Sequence, residues 1–341
     1  MQRYFGFTFL ILLLFLSSCN KESSTEPENN ILALPELKDS IPYDILGTGK
    51  IVFERIGPSN NNYSGIYIID FDNKKNQGLK LLEMTPQVSP EGDKIVFTTL
   101  TNYPAETYWD VYLMDINGTN KKQISSIKGQ EACPTWLPDN NRIIFYSNLF
   151  NAGNGSYIPA YLYNCNTKSL SNVIDFVTIR YPQELSPRDI ISVSKNDVCL
   201  ISNYDGLCTF NLDGSKYKTI LKRSAEYSYY SATWSPDGNR IAFMAIKPDS
   251  SFHSKEMNII TINSGGGDST KIYSTAENEE STWSGNNNYS LCWSPDGNKI
   301  LFNKREGNFT THIYLINKDG TGLTKITSSS EVTDRSLSWG K

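Results

Sequence analysis

Histidine is scarce. His253 and His312 are the only two in 341 residues, too few for a three-histidine metal centre. Cysteine occurs six times with no CxxC pair. Apart from Cys19, the odd set Cys133, Cys165, Cys199, Cys208 and Cys292 signals neither a zinc site nor a disulfide framework. These five are expected as small buried apolar residues, with Cys199 and Cys208 the pair to examine for oxidation. Basic charge is not in excess: 32 Lys and Arg stand against 36 Asp and Glu, a formal net charge of -4. No field is present to draw nucleic acid or an anionic membrane surface. Long apolar runs are also missing. The one near the start, from Phe5 to Leu16, is shorter than the roughly 20 residues a membrane-crossing helix requires.

That run follows Arg3 and ends on small residues, the pattern of a secretory signal over residues 1–18. The tetrad Leu16-Ser17-Ser18-Cys19 resembles the bacterial lipobox, and the resemblance implies lipidation of Cys19. The polar stretch Asn20-Lys21-Glu22-Ser23-Ser24-Thr25-Glu26-Pro27 then reads as the start of a flexible tether over residues 19–45. Acyl chains burying about 0.8 kcal/mol per CH₂ would hold a folded domain on a membrane without a spanning helix. Asn20 stands where many inner-membrane lipoproteins carry Asp, so the resemblance implies the outer membrane, on its periplasmic or surface face.

The rest of the chain repeats itself. Trp234-Ser235-Pro236-Asp237-Gly238-Asn239-Arg240-Ile241-Ala242-Phe243 returns as Trp293-Ser294-Pro295-Asp296-Gly297-Asn298-Lys299-Ile300-Leu301-Phe302. Weaker copies begin at Val88 and Trp136, and a decayed copy spans residues 193–201. A period of roughly 40 to 60 residues lies in the range of propeller blades. Each copy is a strand, a tight turn whose Gly or Asn accepts positive φ, and a second strand. Third strands follow at Ile66–Asp70, Val111–Asp115, Ala160–Tyr163, Leu207–Phe210, Met257–Ile260 and Ile313–Ile316. Turns such as Asn117-Gly118, Asp213-Gly214 and Asp319-Gly320 lead to a fourth strand, clearest at Lys122–Ser125 and Thr324–Thr327. The expected fold is all-β: a six-bladed β-propeller of four-stranded antiparallel blades over residues 46–341.

A ring must close. Gly49-Lys50-Ile51-Val52-Phe53 begins at a second strand, whereas Leu337-Ser338-Trp339-Gly340 is a first strand with nothing after it. The C-terminal strand is therefore expected to pair with the N-terminal blade. The repeated Trp136, Trp234, Trp293 and Trp339 are expected to pack between blades, and the Asp of each Pro-Asp-Gly turn to bond its own backbone.

These hairpins, with their Ile-Tyr and Asp-Gly third and fourth strands, resemble the propeller repeats of the TolB-like family across nearly all of the chain after the tether. That family's type member carries a separate α/β domain ahead of its propeller. Here only about 30 residues separate Cys19 from the first blade, so the resemblance implies the propeller and not the whole envelope role.

Catalytic signals are weak. Oligogalacturonate lyases have a propeller of related sequence with a histidine-rich metal centre, and the likeness fails at the ligands, an isolated His here being expected at the surface. Prolyl-oligopeptidase relatives need a hydrolase domain with a Gly-x-Ser-x-Gly turn, and this sequence has no such motif. No catalytic residue, metal site or cofactor is assigned. A glycosidase's two acids can come from different blades without a local trace, so glycan processing stays open.

Binding is expected on loops, where insertions carry specificity. The segments 102–110, 148–159 and 247–256 join second to third strands and should share one face, and 276–289 is a further insertion. Aromatics among small polar residues suit protein contact or sugar stacking. The candidate residues are Tyr103, Tyr108, Trp109, Tyr157, Tyr229, Tyr230, His253 and Trp283. The expected partner is an envelope protein, with a glycan as the alternative, and the molecule is expected to act as a monomer.

Overall fold

The turn chemistry of the repeats sets where strands end. In the copy at Trp234, Ser235 Oγ donates to Asp237 Oδ1 at 2.6 Å, Asp237 Oδ1 accepts the Asn239 amide at 3.1 Å, and Ser235 Oγ accepts the Arg240 amide at 2.9 Å. The copy at Trp293 repeats all three bonds through Ser294, Asp296, Asn298 and Lys299. Gly238 and Gly297 take φ of 69° and 67° at this turn, and Asn140 takes 58° in the weaker copy. That backbone is open to Gly and tolerated by Asn.

The structure, a computed structural model, describes residues 33–34, 36–57, 64–79, 83–102, 107–125, 127, 129–148, 157–178, 191–203, 205–248, 254–275, 289–306 and 310–341. The chain begins there with β1 (Ala33–Leu34), a short helix α1 (Tyr43–Leu46), β2 (Lys50–Ile56), β3 (Gly65–Asp70) and β4 (Lys75–Leu79). One four-stranded antiparallel sheet holds β5 (Glu83–Val88), β6 (Lys94–Asn102), β7 (Thr107–Asp115) and β8 (Lys122–Gln123). A second holds β9 (Gln130–Trp136), β10 (Arg142–Asn148), β11 (Tyr157–Asn164) and β12 (Ser169–Thr178). A third holds β13 (Ser192–Val193), β14 (Val198–Asn203), β15 (Gly206–Asn211) and β16 (Lys218–Lys222). The fourth holds β17 (Ser228–Trp234), β18 (Arg240–Pro248), β19 (Ser254–Asn263) and β20 (Thr270–Ser274). Last come β21 (Leu291–Trp293), β22 (Lys299–Arg305), β23 (Thr311–Asn317), β24 (Thr324–Lys325) and β25 (Thr333–Gly340). This is a β-propeller of four-stranded antiparallel blades.

The expected count of six separate blades is corrected. Among the described residues four sheets stand alone, and the remaining strands form one nine-stranded sheet. Its physical cause is a single parallel pairing, Thr311 with Thr333, which ties β23 to β25. On its other side β25 runs antiparallel to β2, from Lys50 opposite Gly340 to Ile56 opposite Thr333. The fourth strands β8 and β24 each keep two residues, not the four expected.

Faces between neighbouring sheets are apolar. Trp136 packs with Val96 and Leu113 of the preceding sheet, Trp234 with Leu200 and Leu207, and Trp293 with Met244 and Ile259. Trp339 lies between Ile51 and Phe53 on one side and Leu301 and Leu315 on the other. All four indoles are buried, so each contributes on the order of the 1.5–3 kcal/mol that full burial of a large apolar side chain supplies.

Residues upstream of 46 are packed with the strands. Residues 31–341 form one compact unit, and β1 adds to the edge of β4, pairing Ala33 with Leu79 and Leu34 with Gly78. Leu34, Leu37 and Leu46 are buried in the cluster around Tyr67, Phe71 and Trp339. Residues 1–30, with the signal and Cys19, lie outside the described residues.

Candidate functional site

Counting back from the tryptophan of each repeat gives two side-chain layers on the innermost strands. One residue before it stand Gln87, Thr135, Ser192, Thr233 and Cys292. Three residues before it stand Thr85, Ser231, Ser290 and Ser336. All of these residues line one cavity. Strands β5, β9, β13, β17, β21 and β25 each contribute to its wall.

The wall is held in an unusual backbone. Thr85, Cys133, Ser231 and Ser336 have φ of 53°, 55°, 51° and 55°, each three residues before the repeat position of the tryptophan. The ladders to the second strands shift register at these points, between Met84 and Gln87 on β5 and between Tyr230 and Thr233 on β17. Such bulges bend a strand and re-aim its side chains. A left-handed conformation at non-glycine residues costs of order 1–3 kcal/mol and persists where surroundings over-determine it.

Hydrogen bonds across neighbouring innermost strands supply that support. The Val88 amide donates to Ser338 Oγ at 3.0 Å and the Trp234 amide to Ser192 Oγ at 3.0 Å. Ser231 Oγ donates to the Tyr289 carbonyl at 2.9 Å, and the Leu337 amide to Ser290 Oγ at 2.7 Å. Among the described residues lining the cavity there is no carboxylate, imidazole, ammonium or guanidinium group. Cys292 is the one thiol there, and burial pushes its ionisation up.

Titratable groups lie behind this wall. Glu131 and Asp110 are both buried. Glu131 accepts the Val111 amide at 3.1 Å, the Ile127 amide at 3.2 Å and the Ser125 hydroxyl, while Gln123 donates to Asp110 at 2.9 Å. Burial first, opposed by those bonds and reinforced by Asp110, raises the Glu131 carboxyl to about 7. Five residues before its tryptophan, Glu131 corresponds to Asp334 on β25. There Arg55 Nε and Nη2 donate to Asp334 at 2.6 and 2.8 Å, and Arg55 Nη1 donates to Asp39 at 2.9 Å. Asp39 also accepts the Ser328 and Ser329 amides. Beside this network Arg335 pairs with buried Glu54.

His312, expected at the surface, is buried on β23 with 3% exposure. Its third-strand position faces inward, and Nε2 lies 3.7 Å from Glu306. Burial, and then Lys325, lower its affinity for a proton.

The candidate binding residues fall in different places. Tyr108 and Trp109, read as loop, belong to β7, where they pair with Thr101 and Leu100. Aromatic and β-branched residues directly opposite one another extend the ladder. Trp109 is half-buried and Leu100 beside it is 49% exposed. Tyr229 and Tyr230, read as preceding a strand, lie inside β17. The Tyr229 ring meets Phe243 edge-on at 5.1 Å, and Tyr230 meets Tyr289 at 5.3 Å. Tyr289, not singled out from sequence, lines the cavity. Tyr157 is in β11 with its side chain outside the described residues, as are Tyr103, His253 and Trp283 altogether. Within each sheet the end of the second strand lies beside the start of the first, as in Ser147 opposite Glu131 and Ile246 opposite Ser228. The extended β6–β7 and β18–β19 hairpins therefore project past the same end of the cavity wall. Cys133, Cys165, Cys199, Cys208 and Cys292 are free thiols. Cys208 lies opposite Ile201, not Cys199.

Comparison with known proteins supports the fold alone. No family model and no curated protein matches the sequence. Among solved structures, TolB from Acinetobacter baumannii aligns with 16% identity and a TM-score of 0.63, over 86% of this chain and 66% of that one. Hydrazine synthase from Kuenenia stuttgartiensis aligns with 12% identity and a TM-score of 0.55, over 86% and 47%. An oligogalacturonate lyase in complex with manganese aligns with 9% identity and a TM-score of 0.50, over 87% and 84%. The chain thus spans just under two thirds of the TolB structure and under half of the hydrazine synthase chain.

Proposed function

We propose that this protein is an exported, lipid-anchored propeller that serves as a non-catalytic, protein-binding scaffold in the cell envelope. On this reading the nine-stranded sheet is two blades joined edge to edge. One is β21 to β24, and the other is β2 to β4 completed by β25 as its innermost strand. The ring then has six blades, closed by the C-terminal strand. Cavity-lining residues on six innermost strands support that count. Export, lipidation at Cys19 and an outer-membrane location rest on the signal and lipobox resemblance.

The observation that carries the scaffold reading is the division of labour at the site. The cavity wall presents uncharged groups, while the nearby acids and bases are committed to buried pairs and backbone bonds. Outside the wall the β6–β7 hairpin offers exposed Leu100 beside Trp109, and tryptophan is among the residues enriched at protein contacts. The fold likeness to TolB agrees with a propeller scaffold.

Cross-linking in intact cells, followed by purification of the lipidated protein, tests this. A reproducible envelope protein that is lost with Trp109→Ala is expected. Unchanged capture with that variant would remove the hairpin from the interface, and no captured protein would sink the scaffold reading. In the same cells Cys19→Ala should move the protein from the membrane to the soluble fraction.

A further inference from the structure

We infer that the central cavity is a binding site for a neutral saccharide, held by the serine, threonine and glutamine side chains of its wall. The inference is independent of a protein partner on the hairpins and could hold with or without one.

Charge gives the first argument. A charged guest would lose its hydration in a space whose described lining holds no opposite charge, a cost of several kcal/mol per ion. An uncharged guest escapes that cost if its polar groups find hydrogen bonds.

The wall supplies both kinds of partner. Ser290 Oγ accepts the Leu337 amide and keeps a proton to donate, while Ser192 Oγ accepts the Trp234 amide and lies 3.4 Å from Thr233 Oγ1, a pair in which either hydroxyl can donate and which leaves one proton for a guest. Ser231 Oγ spends its proton on the Tyr289 carbonyl and keeps its lone pairs. Gln87 Nε2 is a buried donor with no partner among the described residues, on a side chain that lines the cavity. A sugar hydroxyl both donates and accepts, as these groups do in the complementary sense. Ions and purely apolar guests leave half of this set unused.

Tyr289 adds a partly apolar group: it lines the cavity, and its ring is held 5.3 Å from that of Tyr230 against the apolar cluster around Trp293, which fixes the residue where the C–H face of a pyranose would pack. The left-handed residues Thr85, Ser231 and Ser336 are fixed by register and by cross-strand bonds, so little ordering remains to be done on binding.

An array of neutral and anionic glycans probed with the intact folded protein provides the test, followed by calorimetry with the strongest hit. Hits confined to neutral glycans are expected. Gln87→Leu and Tyr289→Ala should each weaken binding by about tenfold or more, while Tyr289→Phe retains most of it. Each variant is first checked for an unchanged circular dichroism spectrum, and Thr135→Val supplies a second cavity-wall change should either fail to fold. An array with no neutral hit, equal binding of uronic or sulfated glycans, or variants that bind like the parent would overturn the inference. So would a cavity guest that proves to be a peptide.

Discussion

Glu131 faces the energetic conflict of a carboxylate removed from water. Three donors favour its ionised form, yet burial and Asp110 prevail and lift it from 4.5 to about 7. Between those two values the folded protein holds a proton that the unfolded chain has released. Stability from this residue is therefore complete below about pH 4.5 and is lost as pH rises through about 7, by on the order of 3 kcal/mol. His312 has the opposite sign. Its folded-state proton affinity is lowered, so stability falls as pH drops through its unfolded value near 6.5. Denaturant titrations from pH 4 to 9 should separate the two. Glu131→Gln removes the alkaline-side loss, and His312→Gln removes the acid-side loss. A parent-like pH profile in either variant would show that the residue does not couple to folding.

At the scale of the strand, the pairing of β25 with β2 combines a ladder with buried charge. Deleting residues 336–341 removes Trp339 and half of that ladder, and a sharp fall in melting temperature is expected; an unchanged melt would refute closure by this strand. Arg55→Ala leaves Asp39 and Asp334 buried without their cation and should cost about 3–5 kcal/mol, measured by chemical denaturation. The six third strands were legible because each is rich in apolar and aromatic residues and mostly buried. Fourth strands were less so, since β8 and β24 end after two residues where edge residues face solvent and pattern is weak. The bulges could not be read, because Thr85, Cys133, Ser231 and Ser336 are not residue types that advertise positive φ. Small polar residues stand one or three places before most of the repeat positions of the tryptophan, but Ser and Thr are common in strands and carry no signal of a shared cavity until the ring of innermost strands brings them together. The merged sheet rests on one residue pair, Thr311 with Thr333, which no periodicity signals.

For the whole molecule, the start of the fold sets how short the chain can be made. Removing residues 1–30 leaves β1 and its partners intact, and the melting temperature should not change. Removing residues 1–41 strips Leu34, Leu37 and Asp39 from their buried places. A loss of several kcal/mol is expected on the scale of 2–5 for one large apolar truncation, and equal melts for the two truncations would place residues 33–41 outside the cooperative unit.

Asp39 binds at once to Arg55 on β2, to Ser329 near the end of the chain and, through Arg55, to Asp334 on β25. Tension entering the chain ahead of residue 33 therefore does not peel β2 from its neighbours one bond at a time. It meets the short β1–β4 ladder first and this buried ionic knot next. Force that reaches the knot is handed to two strands at once, to β2 through Arg55 and to β25 through Asp334.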